Sequence, residues 1–295
     1  MKIRFAVTPP LYGLELDDFG RAVEDLERLG FDTVWLPDIT LGAQLDPIVG
    51  LAFAAGRTTR LKLGADLVPI GRNPLGLAKD LAQLDRLSGG RLLLSFVSGI
   101  DQPGEREVLG IGAANRGRIL EEITPLLRAW WSGETVNYHS ERWHLPGVAS
   151  PARPVQDPLE VWFGGHGPKA LVRAGHFSDG WLGSTMGPAE AGAARQRILD
   201  AARDAGRAID PEHFGLSVPY AVDAPDPATV ERLRARRPDV DVADVVPVGP
   251  NGLRDLVHRL VDEGLSKFVV RPTFPGGATT AGLGRLADAV LPLQT

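Results

Sequence analysis

Val161-Trp162-Phe163-Gly164-Gly165-His166-Gly167-Pro168-Lys169 is the stretch that decides the fold. A bulky apolar run of strand length ends in a glycine-rich turn, and the turn feeds a helix whose first residue is Pro168. Proline suits that position because its missing N–H would find no partner there, and the glycines permit a tight, closely approached backbone. This is one strand–turn–helix unit, and the same unit recurs on both sides of it.

Upstream, Ile3 to Thr8 is followed by apolar residues at helical spacing (Phe19, Val23, Leu26, Leu29), and Gly30 closes that helix. Thr33 to Leu36 leads to Asp46-Pro47, an N-cap and a proline that open a second helix. Leu61 to Leu67 leads to a third helix, from Asn73-Pro74 to Gly89-Gly90. Arg91 to Val97 precedes a long helix from Asn115 to Trp131. Downstream, Gly180 to Ser184 precedes a helix over Pro188 to Ala205. Phe214 to Val222 and Lys267 to Arg271 complete the strands, and a final helix runs to the C-terminus. Eight strands, each followed by a helix, predict parallel pairing with right-handed crossovers. A closed (β/α)8 barrel, the TIM barrel, takes about 250 residues, and this chain has 295. A doubly wound open sheet would usually carry G-x-G-x-x-G after its first strand, where this chain reads Thr8-Pro9-Pro10-Leu11-Tyr12-Gly13.

The expected fold is therefore α/β, one barrel domain over residues 1–295, with an insertion between the fourth helix and fifth strand. That insertion, Gly133 to Pro158, is expected to hold a small hairpin, Thr135 to Tyr138 against Arg142 to Leu145. Residues 223–250 are expected to form a short helix, then a small strand near Val245-Val246, before a helix from Leu253 to Gly264. Irregular segments of this length are often functional lids.

Composition narrows the chemistry. The absence of cysteine excludes disulfides, thiolate metal sites, iron–sulfur clusters and cysteine nucleophiles. The net charge of −5 is mild and the basic residues are scattered, which argues against a nucleic-acid partner. No run of about 18 apolar residues suggests a membrane span. The start, MKIRFAVTPP, reads as a first strand rather than a signal peptide, so a cytoplasmic location is expected. The six histidines fit no metal motif, and neither G-x-S-x-G nor a P-loop occurs.

Barrel enzymes place their chemistry at the C-terminal ends of the strands. The turn Gly164 to Lys169 offers backbone N–H groups and a helix N-terminus to an anion; the alternative is a tight turn with no ligand. Asp38 follows the second strand, as a ligand-facing carboxylate or a loop residue. Asp66 lies inside the apolar run Leu63 to Val68, where a charge is costly unless paired or functional. Trp143, in the insertion, is a candidate wall over a flat ring.

The ordered set of segments resembles the luciferase-like monooxygenase family. It comprises Arg72-Asn73-Pro74, Leu84-Asp85-Arg86-Leu87-Ser88-Gly89-Gly90-Arg91-Leu92, Arg116-Gly117-Arg118, Leu126 to Gly133, Pro154-Val155-Gln156, Val161 to Gly165, Ser178 to Leu182 and Lys267 to Pro272. Nearly the whole chain is covered, and the likeness is strongest to the actinobacterial branch that uses the deazaflavin coenzyme F420. The resemblance implies a ring bound in the barrel mouth against a bulge after the third strand, with a non-proline cis peptide at Asp66–Leu67. It implies a phosphate grip on Gly165, His166, Gly167 and Lys169, Asp38 at the ring's polar side, and hydroxyls near the ring from Ser98 and Ser184. Sugar-phosphate dehydrogenases of the family carry an acid–base pair and a lysine where this chain has Ile39, Ile100 and Gly187. Isoleucine moves no proton, so the implied pocket is apolar, and Tyr12, Glu105, Arg106 and water are left as proton carriers. The resemblance thus implies hydride transfer between F420 and a small apolar substrate, in a homodimer. The alternatives are an FMN-dependent monooxygenase served by a separate flavin reductase, a flavin-binding protein without turnover, and a hydrolase or lyase on the same barrel.

Overall fold

The computed structural model describes residues 1–10, 16–100, 102–225, 227–274 and 276–295. In chain order the strands are β1 (Arg4–Val7), β2 (Thr33–Pro37), β3 (Lys62–Leu67), β4 (Leu92–Phe96), β5 (Thr135–His139), β6 (His144–Ala149), β7 (Val161–Gly164), β8 (Gly180–Ser184), β9 (Phe214–Tyr220) and β10 (Lys267–Pro272). The helices are α1 (Leu16–Leu29), α2 (Pro47–Ala55), α3 (Pro74–Ser88), α4 (Glu105–Val108), α5 (Arg116–Ser132), α6 (Pro168–Phe177), α7 (Pro188–Asp204), α8 (Pro227–Arg236), α9 (Val242–Val245), α10 (Gly249–Asp262) and α11 (Thr280–Val290). All strands but β5 and β6 close a parallel barrel in the order β1-β10-β9-β8-β7-β4-β3-β2.

Alternation along each strand builds two cores. Val34, Leu36, Leu63, Leu94, Val161 and Phe268 face outward and are buried beneath the helices. Ala6, Trp35, Leu182 and Val269 fill the barrel itself, with Leu93 and Trp162 against them. The two indoles need empty space on the next strand. A Cβ on Gly64 would come within 1.9 Å of the Trp35 ring, and one on Gly180 within 2.5 Å of Trp162. Above this apolar layer the inward positions turn polar: Asp66 pairs in register with Ser95, and Ser184 with Ser217.

The insertion forms a hairpin as expected, β5 against β6, but its second strand is His144–Ala149 rather than Arg142 to Leu145, with His139 opposite His144. The chain beyond it is tied back by Asp85, whose buried carboxylate accepts from Val155 N–H (2.7 Å), Gln156 N–H (2.9 Å) and Gln156 Nε2 (2.7 Å). Two of the segments that carry the family resemblance therefore meet in one hydrogen-bonded knot.

Two expectations are corrected. The segment near Val245-Val246 is the short helix α9, not a strand. Asp241 caps it by accepting from Ala243 N–H at 3.0 Å, so a capping signal outweighs the β-branched run. The non-proline cis peptide is absent: the cis bond among the described residues is Asp157–Pro158. Regular pairing runs through Leu67, which lies opposite Phe96, and Val97 N–H donates to Leu67 O at 2.9 Å. That ladder needs extended trans backbone.

Candidate functional site

The ends of β2, β3 and β4 form one side of the barrel mouth, and its polar groups are engaged by protein partners. Asp38 follows β2, and its Oδ2 accepts from Val68 N–H (3.0 Å) and from Arg72 Nη2 (2.9 Å). The same guanidinium reaches Asp46 Oδ2 at 3.1 Å, and Asp46 also caps α2 through Ile48 and Val49 N–H. Burial holds the Asp38 carboxyl above its ordinary range, because it outweighs the pull of Arg72. After β4, Ser98 is exposed, and its carbonyl accepts from Arg116 Nη1 at 3.0 Å. Arg116 in turn forms a buried 2.6 Å ion pair with Glu105. The chain between these ties, Val68 to Ile70, is buried and apolar. Tyr12 lies outside the described residues. Glu105 is held by Arg116, and Arg106 donates to the carbonyls of Gly112 and Ala114.

The ends of β7 and β8 form the other side, and they differ in kind. Helices α2, α3, α5 and α11 each begin on a side chain that accepts from the first turn. Helices α6 and α7 begin on Gly167 and Gly187, each followed by proline, with no side-chain cap. The space in front of both is open: a Cβ built on either glycine meets nothing within 4 Å. Gly165 takes φ +105°, a conformation natural only to glycine. His166 and Lys169 stand exposed beside this turn. Two neighbouring helix N-termini without side-chain caps, and the exposed Lys169 beside one of them, present donors of the kind an anion takes.

Between the two sides lies a polar floor. Arg271, at the end of β10, reaches Ser184 Oγ at 3.4 Å and Thr185 Oγ1 at 3.3 Å. Asp66 points into the barrel toward Arg271, Ser95 and Trp35. Burial pushes its carboxyl up to about 6, against the opposing pull of those three groups. Leu67 faces outward into the core beneath the helices, so only its backbone borders the mouth. Thr185 has φ +57°, the one non-glycine positive φ among the described residues. For a β-branched residue this costs about 1–3 kcal/mol and persists only where its surroundings impose it.

The structure thus brings Gly165, His166, Gly167, Lys169 and Ser184 to one side of the mouth and Asp38, Leu67 and Ser98 to the other, with Asp66 beneath. Sequence reasoning reached Arg271 only within the Lys267 to Pro272 segment and did not single out Arg72, Arg116 or Arg237; these four arginines tie the loops together. Arg72 and Arg116 stand inside the family segments and could have been singled out there; nothing local marks Arg237. Among the described residues no three potential metal ligands gather, and no helix is long and apolar enough to cross a membrane. Hollows of about 610 and 570 Å3 lie outside the barrel beside α5, and one of about 540 Å3 opens at the head of α7, lined by Gly187, Glu190, Asp239 and Asp241.

Comparison with known proteins places this mouth in context. The profile of luciferase-like monooxygenases matches residues 2–246. The chain is 30% identical over 193 residues to a phthiodiolone/phenolphthiodiolone dimycocerosates ketoreductase of Mycobacterium kansasii, covering 63% of this chain and 52% of that one. It is 30% identical over 195 residues to a 5,10-methylenetetrahydromethanopterin reductase of Methanolobus tindarius, covering 65% and 56%. It thus spans about half the length of the curated relatives it matches. Its fold is that of an F420-dependent secondary alcohol dehydrogenase solved with an F420–acetone adduct (TM-score 0.83, 20% identity, 100% of both chains).

Proposed function

The chain belongs to the luciferase-like monooxygenase family and is an oxidoreductase of that family, and we propose that it uses coenzyme F420 to exchange a hydride with a small, apolar carbonyl or alcohol substrate. The observation that carries this reading is the asymmetry of the mouth: uncapped helix starts at α6 and α7 opposite the backbone of Val68 to Ile70, whose Val68 and Ile70 side chains are anchored in the apolar core. An amphipathic cofactor with a flat ring and a phosphate tail fits that pair of surfaces. The named activities of the ketoreductase, the methylenetetrahydromethanopterin reductase and the F420-dependent alcohol dehydrogenase lend it support.

In this reading Gly165, Gly167 and the first turn of α6 bind the phosphate, with His166 and Lys169 beside it. The wall after β3 carries one face of the ring, Asp66 and Leu67 bordering it at the end of β3. Ser184, Arg271 and Asp38 surround its polar edges, and Ser98 stands at the rim. When bound, F420 supplies the hydride chemistry; the protein supplies orientation and exclusion of water. Ile39 and Ile100, on the loops after β2 and β4, make the substrate side apolar. We read the whole chain as one domain, cytoplasmic, and assembled as a homodimer.

The test is binding of F420 and of FMN to the purified protein, each followed by fluorescence quenching. Tight F420 with weak FMN binding is the expected result. Preference for FMN would move the assignment to a two-component monooxygenase served by a flavin reductase. Binding of neither would overturn the cofactor assignment.

A further inference from the structure

We propose that Arg237, on the segment between α8 and α9, is a positioning residue for the cofactor cradle, acting through the backbone of Thr185. The proposal rests on the cofactor reading above and names a residue outside the sequence segments that carry the family resemblance.

Arg237 is 9% exposed although it belongs to an outer segment of the chain. Its Nη1 donates to the Thr185 carbonyl at 3.3 Å. Its Nη2 reaches both carboxylate oxygens of Glu190, in the first turn of α7, at 3.0 and 3.1 Å. Asp239 closes the arrangement from the other side, at 3.2 Å from Nε and 3.1 Å from Nη2. One guanidinium therefore ties the strained residue after β8 to the start of the helix that follows it, and planar, five-donor geometry suits it to that bridging. Asp239 also feels His166, on the β7 turn, so the segment stands close to both halves of the cradle.

Thr185 is held on every polar group. Its N–H donates to Ser217 O (3.3 Å), its carbonyl accepts from Arg237, and its hydroxyl lies 3.1 Å from Ser184 Oγ and 3.3 Å from Arg271. Ser217 and Arg271 are barrel residues and hold the floor side. Arg237 alone among these reaches in from outside the barrel. A left-handed threonine relaxes once it is released, and relaxation here would turn the Ser184 hydroxyl and shift Gly187 at the head of α7. This makes the 223–250 region, irregular in sequence, a brace for the site.

The experiment is a double-mutant cycle between Arg237→Gln and Thr185→Gly, read by cofactor dissociation constant and by hydrogen exchange of the cofactor-free protein. Glycine adopts the positive φ without being held. With Thr185 present, Arg237→Gln is expected to weaken binding of the preferred cofactor about tenfold and to speed exchange at residues 184–188. In the Thr185→Gly background the same change should weaken binding less than about twofold. Arg237→Lys should restore part of the affinity. Equal loss in both backgrounds, or loss tracking only the melting temperature, would overturn the proposal. If the protein binds neither F420 nor FMN, the cofactor reading fails by itself. Exchange at 184–188 then still decides whether Arg237 holds the turn: an unchanged pattern in Arg237→Gln sinks the bracing role.

Discussion

The two sides of the barrel mouth are built from the same strand–turn–helix unit, yet they use their polar groups in opposite ways. At the ends of β2, β3 and β4, carboxylates and guanidinia saturate one another: Asp38 with Arg72, Arg72 with Asp46, Glu105 with Arg116. At β7 and β8, α6 and α7 start on glycine, whereas Asp46, Asn73, Asn115 and Thr279 cap α2, α3, α5 and α11; α10 and the short α4 also start without a side-chain cap. The first side is rigid because its donors and acceptors are satisfied inside the protein. The second keeps donors unsatisfied, and so is able to take a ligand. Glycine at a helix N-cap gives up only about a few tenths of a kcal/mol relative to Asp, Asn or Thr, so the open starts of α6 and α7 cost the fold little.

The comparison is broken most severely at the saturated side. Glu105→Ala leaves Arg116 buried opposite a missing partner, and the expected loss is about 3–5 kcal/mol in urea unfolding. A loss below about 1 kcal/mol would show that this side is not held by its ion pairs. Asp66→Asn acts at the floor between the sides and in the opposite direction. A buried acid raised from 3.8 to about 6 binds its proton more tightly in the native state. Its contribution to stability is therefore fully present below pH 3.8 and fades as pH rises toward about 6. Asn removes that penalty, so the variant is expected to gain about 3 kcal/mol above pH 6 and little below pH 4. Melting curves across this range check the sign, and a variant less stable at pH 7.5 would show that Asp66 is held charged by Arg271.

The open side yields smaller effects, with stability and binding moving apart. Gly167→Asp places a carboxylate cap where φ and space both allow it. The protein should gain a few tenths of a kcal/mol, while phosphate-bearing cofactor binds at least about tenfold more weakly, because the new carboxylate competes for the same N–H groups and repels the anion. Undiminished binding would remove the cradle from the cofactor site. Lys169→Ala should weaken binding up to about fivefold, with no change in melting temperature, and the difference should shrink as salt is raised. A variant whose loss is insensitive to salt would make Lys169 a packing residue.

Much of this was legible before any coordinates. The turn at Gly164 to Lys169 announces a strand-to-helix junction, because glycine and proline carry their structural meaning locally. The hairpin in the insertion was legible as two short strand-like runs, although its second strand lies further along the chain than expected. The Val245-Val246 segment was not, since a β-branched pair looks like a strand until Asp241 is seen capping a helical turn. Asp66 was correctly marked as anomalous in its apolar run, but its inward aim and its approach to Arg271 join residues about two hundred positions apart. The peptide bond at Asp66–Leu67 misled because it was carried over from a resemblance, and the β3–β4 ladder decides it otherwise.

The sequence by itself determined the alternation of elements, the closed barrel that the alternation requires and the glycine turn at its mouth, since hydrophobic period and turn chemistry act over a few residues. Only the tertiary structure decided which charges cancel and which polar groups remain available. Arg72 meets Asp38 and Arg237 meets Thr185 across 34 and 52 positions. Pairing at such separations is set by how the strands close the barrel, and no local pattern records it.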